Sequence, residues 1–440
     1  MTAMTLDAPS RLLAAPRGVT TGLGLAGHLA VHGALVIPTG DDPEWSAGIG
    51  RAVTEAGLLG RGGAGFPSGV KWDAVRRSRR RPIVVVNAME GEPASAKDRV
   101  LLTYTPHLVL DGAEVAAAVV GASEIVVCVA DHSESAAAAT ETAIAERQRT
   151  STTHRRISVQ RPPGRYVTGE ESALVGWLEG RLARPMLRID KSVALTGRRR
   201  PALVHNAETL SQVALIARHG PSWFRSVGTP EAPGSTLVTV SGAVRRPGVL
   251  EVELGTPLRE ILERAGSEDE LSGALLGGYG GAWLRASRFD TPYAPGALAA
   301  AGSTQGVGVV VALPSTSCGI AETARIVRYM AGESAGQCGP CVFGLPAIAD
   351  DLERLWSGRV DAAVLDRIDR RAATVDGRGA CRHPDGVVRL VRSALDVFAD
   401  DARLHADGRP CAGHGVPTVM SLPSHRSVSG DGSTGARRTS

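Results

Sequence analysis

The stretch PIVVVNAMEGEP, residues 82–93, has the pattern of a short buried strand that ends in an acidic turn. The predicted segments after it alternate in type: a helix over 107–121, a strand over 124–130, a helix over 133–148 and a strand over 156–161. Such alternation is typical of a parallel α/β layer fold. The acidic turn places Glu90 and Glu92 at the carboxyl end of a strand, where ligands bind in α/β sheets.

Two further patterns follow this α/β segment. From Gly234 the apolar period switches to two, and a hairpin followed by a helix predicts a small α+β module. Beyond Ser317 the pattern is helical throughout. The predicted organisation is a partly disordered lead-in at 1–45, an α/β domain at 46–233, an α+β domain at 234–316, a helical domain at 317–400 and a disordered tail at 401–440.

Composition argues against several functional classes. The net charge of the 440 residues is only +4, and no dense basic block with interleaved aromatic residues occurs, so we expect no nucleic-acid binding. No stretch is apolar enough for the roughly 20 residues that span a bilayer, so direct membrane insertion is not expected. The amino terminus has no export-signal pattern, which predicts a cytoplasmic protein. Six cysteines in such a chain argue against a disulfide framework.

Residues 57–72, GLLGRGGAGFPSGVKW, form a loop rich in glycine. Gly60, Gly62 and Gly65 satisfy the pattern G-x-G-x-x-G, but a predicted helix precedes them where the dinucleotide fingerprint requires a strand. Consecutive backbone N–H groups in such a loop can still bind a phosphate. Lys71 would add positive charge, and Phe66 would offer a ring for stacking. The alternative is a tight turn that packs two elements together.

Two predicted helix starts carry polar residues. YVTGEESAL places Gly169, Glu170 and Glu171 at the start of a helix, where backbone donors are free. HNAETL places Asn206 and Thr209 at another helix start. Acidic residues at a helix amino terminus also stabilise its dipole, so Glu170 and Glu171 have a structural alternative to ligand binding.

GRGGAGFPSGVKW, NAMEGEP with KDR, GEESAL and NAETL occur together in an order and spacing that resemble the flavoprotein subunit of respiratory complex I (NADH:quinone oxidoreductase). Related diaphorase subunits of hydrogenases and formate dehydrogenases share the pattern, and the resemblance covers about residues 57–400. It implies an α/β fold with a Rossmann-like FMN-binding domain, then a small β-grasp (SLBB-like) α+β domain and a C-terminal helical bundle. The flavin-site residues that it implies are Gly62, Gly63, Gly65, Lys71, Asn87, Glu90, Gly169, Glu170, Glu171, Asn206 and Thr209.

The resemblance also implies a nicotinamide site. NADH lies against the flavin in that family, and Phe66 matches an aromatic residue that stacks on the adenine. Glu92 matches an acid near the nicotinamide and is the candidate catalytic residue.

Three cysteines in the helical region have the spacing of iron–sulfur ligands. ESAGQCGPCVFG and GRGACRHPDG contain Cys338, Cys341 and Cys381, and thiolates are the usual ligands of such clusters. The family that the chain resembles has a further cysteine where Ala335 stands. Several alternatives remain: Cys411 or a non-thiol ligand (Glu333, Ser334 or His383) completes a 4Fe-4S set, three thiolates hold a 3Fe-4S cluster, the site has lost its cluster, or CGPC is a redox dithiol.

Other departures from the family concern the nucleotide. Met89 replaces an aspartate beside the flavin, and a thioether is only a weak hydrogen-bond acceptor. Ala74 replaces a second aromatic residue. The basic segment RIDKSVALTGRRRP, residues 188–201, contains no aromatic residue, so its arginines are candidates for binding the extra phosphate of NADPH instead.

The function implied is that of an FMN-dependent oxidoreductase subunit. It would pass electrons from NADH or NADPH through FMN to the iron–sulfur site, and then to a ferredoxin-like or other redox subunit. The chain would be part of a hetero-oligomer that is cytoplasmic, or peripheral to a membrane through a partner complex. The alternatives are a flavin-holding structural subunit without nicotinamide activity, and a non-redox binding protein that retains the fold as a relic.

Overall fold

The structure is a computed structural model that describes residues 3–4, 10–14, 22–38, 40–78, 80–150, 155–187, 200–267, 270–359, 361 and 363–423. The strands in those residues are β1 (Ala3–Met4), β2 (Ile83–Ala88), β3 (Glu124–Val129), β4 (Arg156–Gln160), β5 (Ala202–Asn206), β6 (Ser235–Gly242), β7 (Gly248–Glu253), β8 (Leu271–Leu276), β9 (Ala282–Arg285) and β10 (Val309–Pro314).

Helices account for most of the remaining described residues. They are α1 (Leu25–His32), α2 (Pro43–Ala56), α3 (Ser68–Arg76), α4 (Lys97–Tyr104), α5 (Pro106–Val120), α6 (Glu134–Arg149), α7 (Glu171–Leu178), α8 (Ala207–Phe224), α9 (Leu258–Arg264), α10 (Pro295–Ala300), α11 (Gly319–Gly332), α12 (Leu345–Trp356), α13 (Val364–Val375), α14 (His383–Val397) and α15 (Ala399–Ala406).

The first sheet is parallel and has four strands in the order β4-β3-β2-β5. Its central strands are runs of valine and isoleucine with nearly every residue buried, as expected when helices cover both faces of a parallel sheet. Helices α5 and α8 pack on one another and against this sheet. The predicted parallel α/β domain is confirmed.

The second sheet has six strands in the order β1-β7-β6-β10-β8-β9. β6 and β7 form the predicted antiparallel hairpin, and β10 lies parallel to β6. The antiparallel strands β8 and β9 complete the sheet, and their sequences gave no separate signal. Helices α11 to α15 then pack around an apolar core that includes Ile326, Leu352 and Leu390, and they share this core with β8, β9 and β10 of the second sheet.

The structure describes ordered segments in the lead-in and corrects the prediction for the carboxyl-terminal tail. In the lead-in, Leu12 and Leu13 are completely or almost completely buried, and α1 and the start of α2 are helical. The disorder predicted from residue 401 is wrong for 401–423, because α15 continues to Ala406 and Met420 is buried. Leu12, Leu13 and Met420 are buried against the rest of the protein, and the local composition of these segments does not predict that burial. Residues 424–440 lie outside the described part, and the domain boundaries at 46, 234 and 317 stay predictions.

The described helices include none with both the length and the apolar character needed to cross a membrane.

Substitution of Gly112 by alanine should destabilise the α/β domain. A Cβ at Gly112 would lie 1.8 Å from the carbonyl oxygen of Leu210, so α5 and α8 would have to separate. Overpacking of this kind costs about 1–3 kcal/mol or more, and we expect a lower midpoint temperature of thermal unfolding. Gly48→Ala is the matched control, since its Cβ would meet no atom within 4 Å. Equal midpoints for the two variants would contradict the assigned packing.

Candidate functional site

The glycine loop runs from the end of α2 to the start of α3 and closes on itself. Gly60 N donates to Phe66 O (2.9 Å), and Leu59 and Pro67 form an antiparallel bridge. Gly63 and Gly65 have φ of 104° and 60°, which L residues rarely adopt. Residues 62–65 are exposed, and a Cβ at Gly65 would meet nothing within 4 Å. Gly65 is therefore not required for packing, and the loop presents open backbone.

Buried groups fix the loop from behind. Arg61 N donates to Thr209 Oγ1 (2.9 Å), and Lys97 Nζ donates to Arg61 O (2.6 Å). Lys97 Nζ also lies 2.6 Å from a carboxylate oxygen of Glu208, which is completely buried. Thr209 is itself completely buried, so it anchors the loop and is closed to solvent. As predicted, a helix and not a strand precedes the loop.

Asn87 and Asn206 lie side by side at the carboxyl ends of β2 and β5. Asn206 Nδ2 donates to Asn87 O (3.2 Å) and to a carboxylate oxygen of Asp98 (2.7 Å). Asn87 Nδ2 donates to Gly169 O (2.8 Å). The sheet edge thus brings together three segments that are far apart in sequence.

Glu90 and Glu170 both bind backbone N–H groups at the start of a helix. Glu90, whose φ is 42°, accepts from Asp98 N (2.9 Å) and Arg99 N (3.2 Å) at the start of α4. Glu170 accepts from Ser172 N (2.8 Å) and Ala173 N (3.1 Å) at the start of α7, and burial raises its pKa. Glu170 therefore caps the amino terminus of α7, which is the structural role expected as the alternative to ligand binding.

Lys71 and Glu171 form an ion pair beside the loop. Lys71 Nζ lies 2.9 Å from Glu171 Oε2 and donates to Val204 O (2.7 Å). Both side chains are mostly buried. The pair has no net charge, and its hydrogen bonds join α3, the start of α7 and β5 beside the loop.

Glu92 lies where the two sheets meet. Its carboxylate accepts from Tyr279 N (2.8 Å), the Tyr166 hydroxyl (3.2 Å) and Ala94 N (3.2 Å). A Cβ at Gly278 would lie 2.4 Å from Glu92 Oε2, and Gly278 has a φ of 97°. Burial raises the pKa of Glu92 to about 7, and the three hydrogen bonds partly oppose that shift.

Three buried polar atoms near the sheet edge lack a hydrogen-bond partner in the described residues: Asp98 Oδ1, Thr168 Oγ1 and Glu171 Oε1. Buried polar atoms without a partner are rare in proteins, and one explanation for them is a hydrogen bond to a bound ligand. Burial raises the pKa of Asp98 to about 7. Asp98 is not among the residues predicted for the site, although it lies in the KDR segment that follows NAMEGEP.

The residues that depart from the family pattern have distinct settings. The Met89 side chain is almost completely buried in a small apolar cluster with Val85 and Leu174. Phe66 is 46% exposed, so its ring is open to a ligand. Of the basic segment 188–201, residues 188–199 lie outside the described residues.

Cys338, Cys341 and Cys381 come together at the carboxyl end of α11. Cys341 N donates to Cys338 O (3.0 Å) in the turn that leads into α12. Burial, with smaller contributions from the nearby thiols of Cys381 and Cys338, raises the pKa of Cys341 to about 12. Burial also raises the pKa of Cys381, with a smaller contribution from Glu170. The cysteine site therefore adjoins the start of α7.

The alternatives for this cysteine site require different surroundings. A redox dithiol of the C-x-x-C type needs a preceding strand, whereas the helix α11 precedes Cys338. Cys411 lies beside Cys318, at the other end of α11. Glu333 accepts from Tyr166 N (3.0 Å), and His383 Nε2 lies 2.9 Å from Met330 O. The thiols at this site are therefore the three cysteines, while His383 Nδ1, which has no hydrogen-bond partner among the described residues, leaves His383 open as a non-thiol ligand.

An open glycine loop at the edge of a parallel sheet, joined to a helical domain with three neighbouring cysteines, is the arrangement expected of a flavoprotein that transfers electrons to an iron–sulfur site. Three family models match the chain: the Nuo51 FMN-binding domain over residues 53–215, the SLBB domain over 237–266 and the NADH-ubiquinone oxidoreductase-F iron-sulfur binding region over 321–405.

Relatives match over nearly the whole chain. An NADH-quinone oxidoreductase subunit of Rhizobium meliloti (strain 1021) is 31% identical over 402 residues, covering 88% of this chain and 94% of the relative. An NADH-quinone oxidoreductase subunit of Mycobacterium tuberculosis (strain H37Rv) is 32% identical, covering 88% of this chain and 89% of the relative. The chain belongs to the family of flavoprotein subunits of NADH:quinone oxidoreductase. It is an NADH dehydrogenase-type subunit with FMN, NADH and an iron–sulfur cluster as cofactors.

A solved structure has the same architecture. It is the air-oxidized NAD+-reducing [NiFe]-hydrogenase, which is 31% identical with a TM-score of 0.75. The match covers 85% of this chain but only 64% of the hydrogenase chain.

Replacement of Glu92 by glutamine should flatten the pH dependence of stability. The folded-state pKa of about 7 exceeds the ordinary 4.5, so the unfolded chain loses this proton first as pH rises. The free energy of unfolding of the wild type should therefore fall between about pH 4.5 and 7, by roughly 2–3 kcal/mol from this group. Glu92→Gln should lack that part of the decrease.

Denaturant midpoints at pH 5 and pH 8 measure this difference. Glu44→Gln, an exposed carboxyl at the start of α2, is the control and should follow the wild type. If Glu92→Gln also parallels the wild type, the carboxyl does not titrate in this range.

Proposed function

We propose that the glycine loop and the adjoining sheet edge hold the phosphorylated isoalloxazine of FMN, and that the chain passes electrons from NADH or NADPH to the cysteine site. The observation that carries this proposal is the exposed backbone of residues 62–65 beside the carboxyl ends of β2 and β5, near the buried oxygens of Asp98 and Glu171 that lack a partner among the described residues. Open N–H groups and a nearby lysine suit a phosphate.

The outer face of the loop is the one that we assign to the flavin. Behind the loop a cavity of about 140 Å³ separates it from the segment around Gln305 and Gly306. Ligand pockets for molecules of that size are usually about 300–1,000 Å³. The outer face, in contrast, is open to solvent at Gly62, Gly65 and Phe66.

The proposed residues divide into two groups. Backbone at Gly62, Gly63 and Gly65, the ring of Phe66 and the ammonium of Lys71 would contact the cofactors. The remaining proposed residues would hold the loop and the sheet edge in position through hydrogen bonds within the protein: Asn87, Glu90, Gly169, Glu170, Glu171, Asn206 and Thr209. FMN when bound supplies hydride acceptance and one-electron release, while the protein supplies orientation and electrostatics.

Glu92 is proposed to act near the nicotinamide. A carboxyl with a pKa of about 7 changes charge near neutral pH, and three donors fix its position. Its uncharged form would leave the neighbouring space less polar for a nicotinamide ring.

The electron acceptor is proposed to be a ferredoxin-like or other redox subunit. Cys381 lies close enough to Glu170 for their charges to interact, so the cysteine site adjoins the proposed flavin site. The relatives are named as subunits, and we infer that this chain also works within a hetero-oligomer.

A second candidate is a flavin-holding subunit without nicotinamide activity. The burial of Met89 in an apolar cluster and the alanine at position 335 favour it, since both remove polar or metal-binding groups that the family pattern contains. NAD(P)H-dependent dye reduction separates the two candidates. Full-length protein that is yellow and reduces a dye supports the first, and yellow protein that does not supports the second.

Gly62→Leu should lower flavin content without unfolding the protein. A Cβ at Gly62 would lie 3.5 Å from Asn206 Cβ, an ordinary contact, but a leucine side chain would cover the exposed backbone. We expect FMN affinity to fall by ~10–100-fold, as for loss of one or two hydrogen bonds to a charged group. Fluorescence titration with FMN measures it, and Gly48→Ala is the control. Unchanged affinity at an unchanged unfolding midpoint would refute the assigned site.

Ala335→Cys should raise the iron content of protein purified without oxygen. The half-buried Ala335 lies between α11 and Cys338, where a fourth thiolate would complete the set that a 4Fe-4S cluster uses. We expect iron and sulfide to approach about four of each per chain. Ala335→Ser, of similar size without a thiol, should match the wild type. Equal iron in the cysteine and serine variants would show that position 335 does not face the cluster.

A further inference from the structure

A second group of side chains of the types that bind metals lies in the helical domain, apart from Cys338, Cys341 and Cys381. Cys318, His405 and Cys411 place one ligand atom each within 4.8 Å of one another. Cys318 Sγ and His405 Nε2 are 3.4 Å apart. All three side chains are buried, with residue exposures of 4%, 0% and 6%.

The three residues come from separate elements that meet at one point. Cys318 precedes α11 and accepts from Ala321 N (3.4 Å), and His405 lies in the last turn of α15. Cys411 belongs to the segment after α15, which presses onto the backbone of Cys318. A Cβ at Gly413 would lie only 2.3 Å from Cys318 N. Glycine at position 413 is thus required for this close approach.

A fourth candidate ligand stands at the edge of the cluster. His414 follows Cys411 by three residues, and its N–H donates to Cys411 O (3.1 Å) in a tight turn. The His414 and His405 rings have centroids 5.9 Å apart. His414 is exposed, so its side chain can turn toward the sulfur atoms without disturbing the core. Two cysteines and two histidines are a common ligand set for tetrahedral Zn²⁺.

This cluster is separate from the three-thiol site. The two sites lie at opposite ends of α11, whose 14 residues span about 21 Å. Cys318 and Cys411 also lie outside residues 321–405, which the iron–sulfur region model matches. His405 Nε2 faces Cys318 Sγ, and the other ring nitrogen, Nδ1, has no hydrogen-bond partner in the described part of the chain. A metal-bound histidine usually donates from its other nitrogen to a carboxylate, and Asp401 lies one turn earlier on α15.

We propose that Cys318, His405, Cys411 and His414 form a structural zinc site. Soft thiolates with imidazole favour Zn²⁺ over hard cations such as Mg²⁺ or Ca²⁺. The metal would fasten the segment after α15 to the start of α11. That segment continues to contacts with the domain core: Val419 N donates to Glu322 Oε1 (2.5 Å), and the Tyr279 hydroxyl donates to Ser421 O (2.9 Å).

Metal content of the full-length protein tests the proposal. Protein purified with reductant should contain about one Zn²⁺ per chain by elemental mass spectrometry, and Co²⁺ exchanged into the apoprotein should give the visible absorption of tetrahedral thiolate-bound cobalt. A chain with Cys338, Cys341 and Cys381 all replaced by serine should retain this Co²⁺ spectrum. The spectrum then cannot arise from the three-thiol site.

Single variants assign the ligands. Cys411→Ser and His405→Gln should weaken Co²⁺ binding by at least about tenfold, and His414→Ala by roughly 10–100-fold, whereas Cys128→Ala, a buried cysteine on β3, should bind as the wild type does. Wild-type protein that binds no Co²⁺ when its thiols are reduced would overturn the proposal, and this result does not depend on whether any variant folds. A Cys318–Cys411 disulfide found by mass spectrometry in protein that cannot be loaded after reduction would overturn it as well. Unchanged affinity in His414→Ala would overturn the assignment of the fourth ligand.

Discussion

The ion pair between Lys97 and Glu208 holds the flavoprotein together at its centre. Glu208 Oε2 lies 2.6 Å from Lys97 Nζ, and Glu208 Oε1 accepts from Leu237 N (3.0 Å) and the Thr236 hydroxyl (2.8 Å). The same ammonium donates to Arg61 O in the glycine loop. One buried pair thus connects α4, α8, the loop and β6 of the second sheet. Burial of both charges is costly unless every partner is present, so the arrangement fixes the relative position of these four elements.

Glu90 and Glu170, two acidic residues of the motifs, stabilise the starts of helices. Glu90 and Glu170 each accept hydrogen bonds from two backbone N–H groups at the start of a helix. Asn206 Oδ1 accepts one such bond, from Glu208 N (3.1 Å), at the start of α8. These bonds stabilise the helices that converge on the sheet edge. Their side chains are engaged within the protein, and the open groups of the site are backbone of the glycine loop and the ring of Phe66. Motif residues can therefore mark a proposed binding site by holding its helices in place.

The sequence predicted the fold well where the pattern is local. Valine-rich β2 and β3, the β6–β7 hairpin and the helices from α11 onward follow from periodicity within short windows. What periodicity cannot show is long-range packing. The burial of Leu12 depends on contacts that a composition-based argument does not see, and the order of 401–423 depends on contacts with Glu322 and Tyr279.

The same limit applies to the candidate site. The motifs predicted the loop, the two asparagines and the three cysteines, because each motif is a short run with its own chemistry. Asp98 became evident only once the fold placed it next to Asn206. Cys318 and His405 are 87 residues apart and share no spacing pattern, so only the packing of α15 on the start of α11 brings them together.

Glu92 meets the second sheet through a main-chain amide, that of Tyr279, next to a glycine that leaves no room for a side chain. A contact made by main chain survives nearly any amino-acid change at position 279, since every residue except proline supplies the donor. Exchange of the segment around position 279 between relatives should therefore preserve this contact, provided that the length of the turn and Gly278 are kept. Insertions in that turn, in contrast, would move the amide of residue 279 away from Glu92 and break this hydrogen bond.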